Sequence, residues 1–179
     1  MITLRTSDKD DNRKIKQLFR SAFPPDERPP YFLLNWKAKR GKAQMLVAKE
    51  DNTFVGFVYL VTYLDLVYLF FLAVDESRRG CGYGSKILIA LKEKYRGNRI
   101  FLAREPLNPD VENYAQRVSR HDFYLKNGLV DLPMKIKEGP LIYDTMGIGG
   151  NISADEYHAL ICAWGGKLIP RLIDMRMMD

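Results

Sequence analysis

The chain has 179 residues, 46% of them hydrophobic and 28% charged, a balance that suits one folded domain with a substantial core and excludes long disorder. Its net charge of +6 admits anionic partners, yet Lys and Arg are scattered without a run of five, so a dedicated nucleic-acid tract is not expected. Only Cys81 and Cys162 are present, far apart and outside any C-x-x-C, which offers neither a disulfide framework nor a metal site and fits a reducing cytoplasm.

"MITLRTS" reads as a first strand, with charge arriving early and no apolar stretch of the signal-peptide kind. "DKDDNRKIKQLFRSAF" follows with Asp caps and a buried stripe at Ile15, Leu18, Phe19 and Ala22, the pattern of a helix with one packed face. It must stop at "PPDERPP", where prolines remove backbone donors. "YFLLNWKAKRG" is a second short helix ended by Gly41.

The stretch "FVGFVYLVTYLDLVYLFFLAV" approaches the length of a membrane span. Asp65 in its middle and its wealth of Val, Tyr and Phe make it two buried strands hinged near "TYLD" instead. "AQMLVAKE" and "TFVGFVYLVTY" flank the turn pair Asp51-Asn52 and form an antiparallel hairpin. The next strand, ending at Val74, is apolar on both faces and therefore central. After it come "RRGCGYGS" and a helix with Ile87, Leu88, Leu91 and Tyr95 on one side. "NRIFLAREP" is then a strand parallel to the one before, because a helical crossover joins them.

"DVENYAQRVSRHDFYLKNG" is a strong helix with Tyr114, Val118, His121 and Leu125 expected on its packed face and Gly128 as its stop. His121 is read as a packed, satisfied histidine. "LVDLPMKIKEG" and "PLIYDTMGI" are a closing strand pair, and Ser153 with Glu156 forms a capping box for a last helix. The whole is one domain over residues 1–179, with a core of about 1–150 and a C-terminal helical extension over 151–179. That extension is a candidate sheet cap or homodimer surface.

Three anion-binding motifs compete for "RRGCGYGSK". A P-loop needs Gly immediately before Lys and Ser or Thr after it, whereas Lys86 follows Ser85, so the register fails. The dinucleotide fingerprint G-x-G-x-x-G is not completed, and the loop falls after several strands rather than the first. What remains is R-x-x-G-x-G at Arg79, Gly82 and Gly84, between a strand and a helix. Glycines let backbone N–H groups converge at the positive end of the helix, where a pyrophosphate fits.

"AVDESRRGCGYGSKIL" and, downstream, "RHDFYLKNGL" resemble the acetyl-CoA loop and the Tyr-bearing segment of the GNAT superfamily of N-acetyltransferases, and the element order is similar over roughly residues 1–150. "AFPPDERPP" and "NYAQRVSRHDFY" resemble one bacterial branch of it. The resemblance implies an α/β acyl-CoA N-acyltransferase fold, its mixed sheet mostly antiparallel with a splayed central parallel pair. It implies acetyl-CoA as cosubstrate, the pantetheine arm pairing with the backbone of Leu72, Ala73 and Val74. The pyrophosphate would rest on Gly80, Cys81, Gly82, Tyr83, Gly84 and Ser85, with Arg78 or Arg79 adding charge. A backbone N–H near Leu72 to Val74 would donate to the oxyanion.

Tyr124 matches the tyrosine that protonates the departing thiolate. The helical wheel sets it beside the expected stripe, with its hydroxyl toward a cleft. Tyr68 stands near where some relatives place a glutamate, so the base must be found elsewhere. Glu27 in "PPDERPP" is the first candidate for activating or anchoring the amine, with Asp26, Glu105 or a water chain behind it. Arg117 replaces an asparagine that contacts the pantetheine arm in many relatives, and Asn113, one turn earlier, is the candidate substitute.

The expected activity is acetyl transfer from acetyl-CoA to a primary amine of a small molecule or peptide by direct attack. A non-catalytic acyl-CoA-binding module is the alternative, and a nucleic-acid-binding domain ranks last because it leaves the glycine loop without a purpose. Neither a membrane nor a nucleic-acid partner is expected.

Overall fold

A computed structural model describes residues 1–25, 28–166 and 176–178. The described elements run β1 (Ile2–Thr6), α1 (Lys9–Ala22), α2 (Tyr31–Lys39), β2 (Gln44–Glu50), β3 (Thr53–Tyr63) and β4 (Leu66–Val74), then α3 (Tyr83–Lys94) and β5 (Arg99–Arg104). They continue with α4 (Tyr114–Lys126), β6 (Val130–Glu138), β7 (Leu141–Ile148), α5 (Ala154–Gly165) and β8 (Arg176–Met178). The strands follow the order β1-β2-β3-β4-β5-β7-β6-β8 in a mixed sheet. Among the described residues, no helix is long and apolar enough to cross a membrane.

Two compact units share the chain, Met1–Val61 with Leu69–Arg96, and Thr62–Tyr68 with Gly97–Asp179. In the first, β1, β2 and β3 pair antiparallel. Asp51 and Asn52 take left-handed φ of 48° and 64°, the geometry that lets a two-residue turn follow the twist of its strands. Helix α1 is opened by a capping box between Asp8 and Asp11 and lays Ile15, Leu18 and Phe19 on the sheet. Asp11 does more than cap: its buried carboxylate meets Lys49 of β2 at 2.6 Å, which fixes α1 over that strand. Phe19 then joins Phe71 of β4 edge-on at 5.1 Å, and Phe71 meets Phe23 at 4.8 Å. Burying this apolar surface supplies most of the unit's stability, at roughly 25 cal/mol per Å².

In the second unit, β5 pairs parallel with β4 from Leu66↔Arg99 to Tyr68↔Phe101, while β4 itself runs on to Val74 and β5 to Arg104. β7 joins β5 antiparallel, and β6 joins β7 through the hairpin whose last pair is Glu138↔Leu141. Gly147 is required where β7 crosses β5, since a Cβ there would lie 2.9 Å from the Ile100 carbonyl oxygen. Helix α5 buries Tyr157, Leu160, Ile161 and Trp164. Arg99 ties this unit together, bonding Asp65 at 2.7 and 2.9 Å and Glu156 at 2.5 and 3.1 Å.

Two expectations are corrected. Among the described residues after Gly149, α5 is helical, whereas Arg176–Met178 forms strand β8 on β6. A three-residue strand has too short a pattern to show its period, and the free edge of β6 decides it. The packed face of α4 is also displaced: Tyr114 and Leu125 are exposed, and Tyr124 is the buried residue of the helix. His121 does have a partner, the Asp131 carboxylate at 2.9 Å.

Candidate active site

The connection after β4 is built to present backbone. The Asp75 N–H donates to Val55 O at 2.8 Å, and the Asp75 carboxylate receives the Ser77 N–H and hydroxyl, which folds Glu76–Arg78 into a 3-10 turn. Gly80 and Gly82 follow, both at φ +75°, a conformation that side-chain-bearing residues resist. Open space surrounds the Cβ position at each. Gly82 is the N-cap of α3 and supplies no side-chain cap, and the first N–H groups of a helix have no intrahelical acceptor.

Nearby side chains are tied elsewhere. The Tyr83 hydroxyl donates to Glu50 at 2.7 Å, and Lys86 meets the other oxygen of that carboxylate at 3.1 Å. These two contacts, Tyr83 first, hold the Glu50 pKa below the usual range. Arg78 lies over the Tyr83 ring, while Arg79 is half-exposed and reaches Val74 O at 3.4 Å. Cys81 is an exposed free thiol. On β4, Ala73 is buried and Leu72 and Val74 are partly exposed. β3 approaches so closely that a Cβ on Gly56 would collide with the Ala73 carbonyl oxygen. An anionic group therefore finds bare N–H groups, two flanking arginines and room, and the loop residues fit a pyrophosphate.

Asn113 lies at the N-cap of α4, and both ends of its amide are engaged. Its Nδ2 donates to Glu105 at 3.2 Å and its Oδ1 accepts from Arg117 at 2.8 Å. Glu105 is buried and also binds Arg117 at 2.8 Å and Arg120 at 2.7 Å. This knot of one carboxylate, one amide and two guanidiniums sets the start of α4. Tyr124 sits nearly three turns further on, 9% exposed, with the Phe123 ring 5.1 Å away. Burial pushes its pKa up to about 12, so the phenol keeps its proton throughout the neutral range. Glu27 and Asp26 lie outside the described residues. On α2, just after them in the chain, Phe32 and Trp36 are exposed, and the Tyr31 hydroxyl donates to Asn12 O at 3.1 Å.

The fold buries one further acidic residue. Glu138, at the end of β6, approaches the Tyr68 hydroxyl at 3.5 Å. Tyr68 stacks on Phe101 at 4.6 Å, and the Tyr157 ring stands edge-on to it at 6.1 Å. Burial raises the Glu138 pKa to about 7, against the lowering pull of the Tyr68 and Tyr157 hydroxyls. The available signal was alternation: Glu138 is two residues from fully buried Ile136 and therefore shares its face.

Residues 12–119 match the acetyltransferase (GNAT) family, and the chain belongs to that family. Among solved structures, it is similar to a protein from Bacteroides thetaiotaomicron assigned to the same family, at 23% identity and a TM-score of 0.74, covering 93% of this chain and 98% of that one. It is also similar to an aminoglycoside 6'-N-acetyltransferase complexed with coenzyme A, at 15% identity and a TM-score of 0.62, covering 82% and 95%. A third is yncA from Salmonella typhimurium, assigned as an acetyltransferase and solved with its cofactor acetyl-CoA, at 17% identity and a TM-score of 0.60, covering 86% and 97%. At these identities the likeness is one of fold. No curated protein sequence matches the chain at a significant level.

Proposed function

We propose that this protein transfers the acetyl group of acetyl-CoA to a primary amine of a small molecule or peptide. The observation that carries the reading is the glycine loop with its uncapped helix start, set between a central strand and α3 in a chain of the acetyltransferase family. The CoA complexes among its structural neighbours support the same cosubstrate. Acetyl-CoA supplies an activated thioester. The chain's backbone from Gly80 to Ser85 holds its pyrophosphate, Arg78 or Arg79 balances charge there, and Leu72 to Val74 orient the pantetheine arm by strand-like pairing. Asn113 reaches the arm only by giving up one of its two internal bonds.

In this reading Tyr124 gives its proton to the departing sulfur. Its high pKa supports a donor that is never ionised at working pH. Glu27 anchors the positive charge of the acceptor, on the strength of its place in "PPDERPP". The first test is thiol release from acetyl-CoA over polyamines, aminoglycosides, amino acids and peptides. Tyr124→Phe should lower kcat by about 100-fold or more, the scale of general acid catalysis, with acetyl-CoA affinity kept. Unaltered turnover in that variant removes the acid role. Tight acetyl-CoA binding with no thiol release on any amine would favour a non-catalytic acyl-CoA-binding module.

A further inference from the structure

Resting on the acetyltransferase reading, we propose that Glu50 is a positioning residue for the glycine loop, holding the start of α3 through Tyr83 so that the bare N–H groups are set before acetyl-CoA arrives. Every residue involved belongs to the first compact unit. The loop has little of its own to hold it. Arg79, Gly80, Cys81 and Gly82 are all exposed, and open space surrounds the Cβ position of both glycines. Glycine has the most backbone freedom to lose, so a ligand that had to order this loop on arrival would forfeit affinity. The Asp75 carboxylate fixes the entrance by taking the Ser77 N–H and hydroxyl. Tyr83, the first residue of α3 and partly buried, fixes the exit.

Glu50 is well set for this. It ends β2 and is paired on both sides, with Ile2 of β1 and Thr53 of β3. Side chains alternate along a strand, so Lys49 reaches Asp11 of α1 while Glu50 turns to the other face and meets α3. One carboxylate oxygen accepts the Tyr83 hydroxyl at 2.7 Å, and the other accepts Lys86, about one helical turn on, at 3.1 Å. The Lys86 ammonium also lies 4.6 Å from the centre of the Tyr83 ring. The Arg78 guanidinium lies 5.7 Å from that centre and donates to the hydroxyl at 3.4 Å. The phenol thus joins the end of β2, the start of α3 and one of the two arginines beside the loop. Charge supplies a contrast. Tyr83 first, then Lys86, hold the Glu50 pKa below the usual range, so the side chain is an anion at neutral pH. An anion a side chain's length from a pyrophosphate cradle repels the ligand, and by charge alone its removal tightens binding. Positioning predicts the opposite sign.

The test is acetyl-CoA affinity by calorimetric titration at neutral pH, with kcat at saturating acetyl-CoA for the amine that the panel accepts best. Glu50→Ala should weaken binding about 10-fold with kcat retained, the scale of one hydrogen bond to a charged group. Glu50→Gln keeps an acceptor for the Tyr83 hydroxyl without the charge and should bind within about twofold of wild type. Tyr83→Phe should lose about as much as Glu50→Ala, and the double variant no more than either alone, because both break the same link. In the free protein, amide hydrogen exchange over residues 80–85 should be faster in Glu50→Ala and unchanged at the start of α5, a local effect that general destabilisation would not produce.

A folded Glu50→Ala that binds acetyl-CoA as tightly as wild type, or more tightly, overturns the inference and leaves the acetyltransferase reading standing. Additive losses in the double variant do the same. So does a Glu50→Gln no better than Glu50→Ala, since the link would then run through Lys86. If Glu50→Ala does not fold, wild-type affinity in Tyr83→Phe overturns the inference. Wild-type protein that binds no acetyl-CoA overturns the acetyltransferase reading, and the inference falls with it.

Discussion

The starts of α3 and α5 solve the same problem in opposite ways. At α5 the Ser153 hydroxyl accepts the Glu156 N–H at 3.2 Å, and the Glu156 carboxylate accepts the Ser153 N–H at 2.9 Å. Arg99 then takes up that carboxylate as well, so the Glu156 charge at this helix start is answered from within. At α3 the cap is Gly82, which has nothing to offer its own N–H groups, and Gly80 before it is equally bare. A cap of the α5 kind contributes roughly 1 kcal/mol, and α3 forgoes it. A helix closed by its own side chains serves the fold, and one left open by glycines leaves its dipole and donors for a ligand.

The strongest way to break this contrast is to close α3. In Gly82→Asp the new carboxylate enters open space at a φ that Asp tolerates better than most residues, and it occupies the anion position. Acetyl-CoA affinity should fall about 100-fold, near 2.7 kcal/mol, with Tm lowered by no more than a few degrees, the effect of the roughly 1 kcal/mol that a left-handed φ costs a residue other than glycine. Calorimetric titration reads the first quantity and thermal melting the second. Unchanged affinity would mean that the open helix start is not the pyrophosphate site.

Opening α5 should do the reverse on a smaller scale. Ser153→Ala is expected to cost about 1 kcal/mol and lower Tm by roughly 2–4 °C, without touching acetyl-CoA affinity. Lost affinity in this variant would end the division of labour between the two helices.

The smallest effect is a pH dependence. Arg99, then the Ser153 N–H, hold the Glu156 pKa at about 2 against an ordinary 4.5. A pKa lowered by folding gives stability that is present above pH 4.5 and is lost as pH falls toward 2. Urea unfolding of wild type and Glu156→Gln should therefore differ at neutral pH and converge in that acidic window. Because the Glu156 side chain is 36% exposed, solvent screening keeps the difference below about 1 kcal/mol. A gap that stays constant down to pH 2 would show that Arg99 does not stabilise the α5 cap through charge.

The elements that were legible in sequence are those set by neighbours along the chain. Asp51-Asn52 marks the β2–β3 turn, and the break at "TYLD" becomes a turn with Leu64 at φ 52°. An Asp cap forms at the start of α1, on Asp8, and the box of Ser153 with Glu156 forms as its spacing predicts. The face of α4 was not legible, because its apolar and charged residues are mixed around the helix and the packing partner chooses among them. Tyr124 is inside and Leu125 outside for that reason. The position of Asn113 in the helix makes it a candidate cofactor contact, and the bond it makes to Glu105, eight residues earlier, is not visible in that position.

The order of elements up to α5 and the resemblance to the family were readable from the chain alone, and the glycine loop was readable as a candidate anion cradle. Each depends on turn chemistry, periodicity or spacing within a few residues, where backbone sterics act directly. Only the tertiary structure decided what Glu138 is. Seventy residues separate it from Tyr68, and alternation with Ile136 gives its face without showing what covers it. Its character comes from desolvation by strands and a helix that the chain brings together late, and burial of a charge is a property of the folded surroundings rather than of the residue.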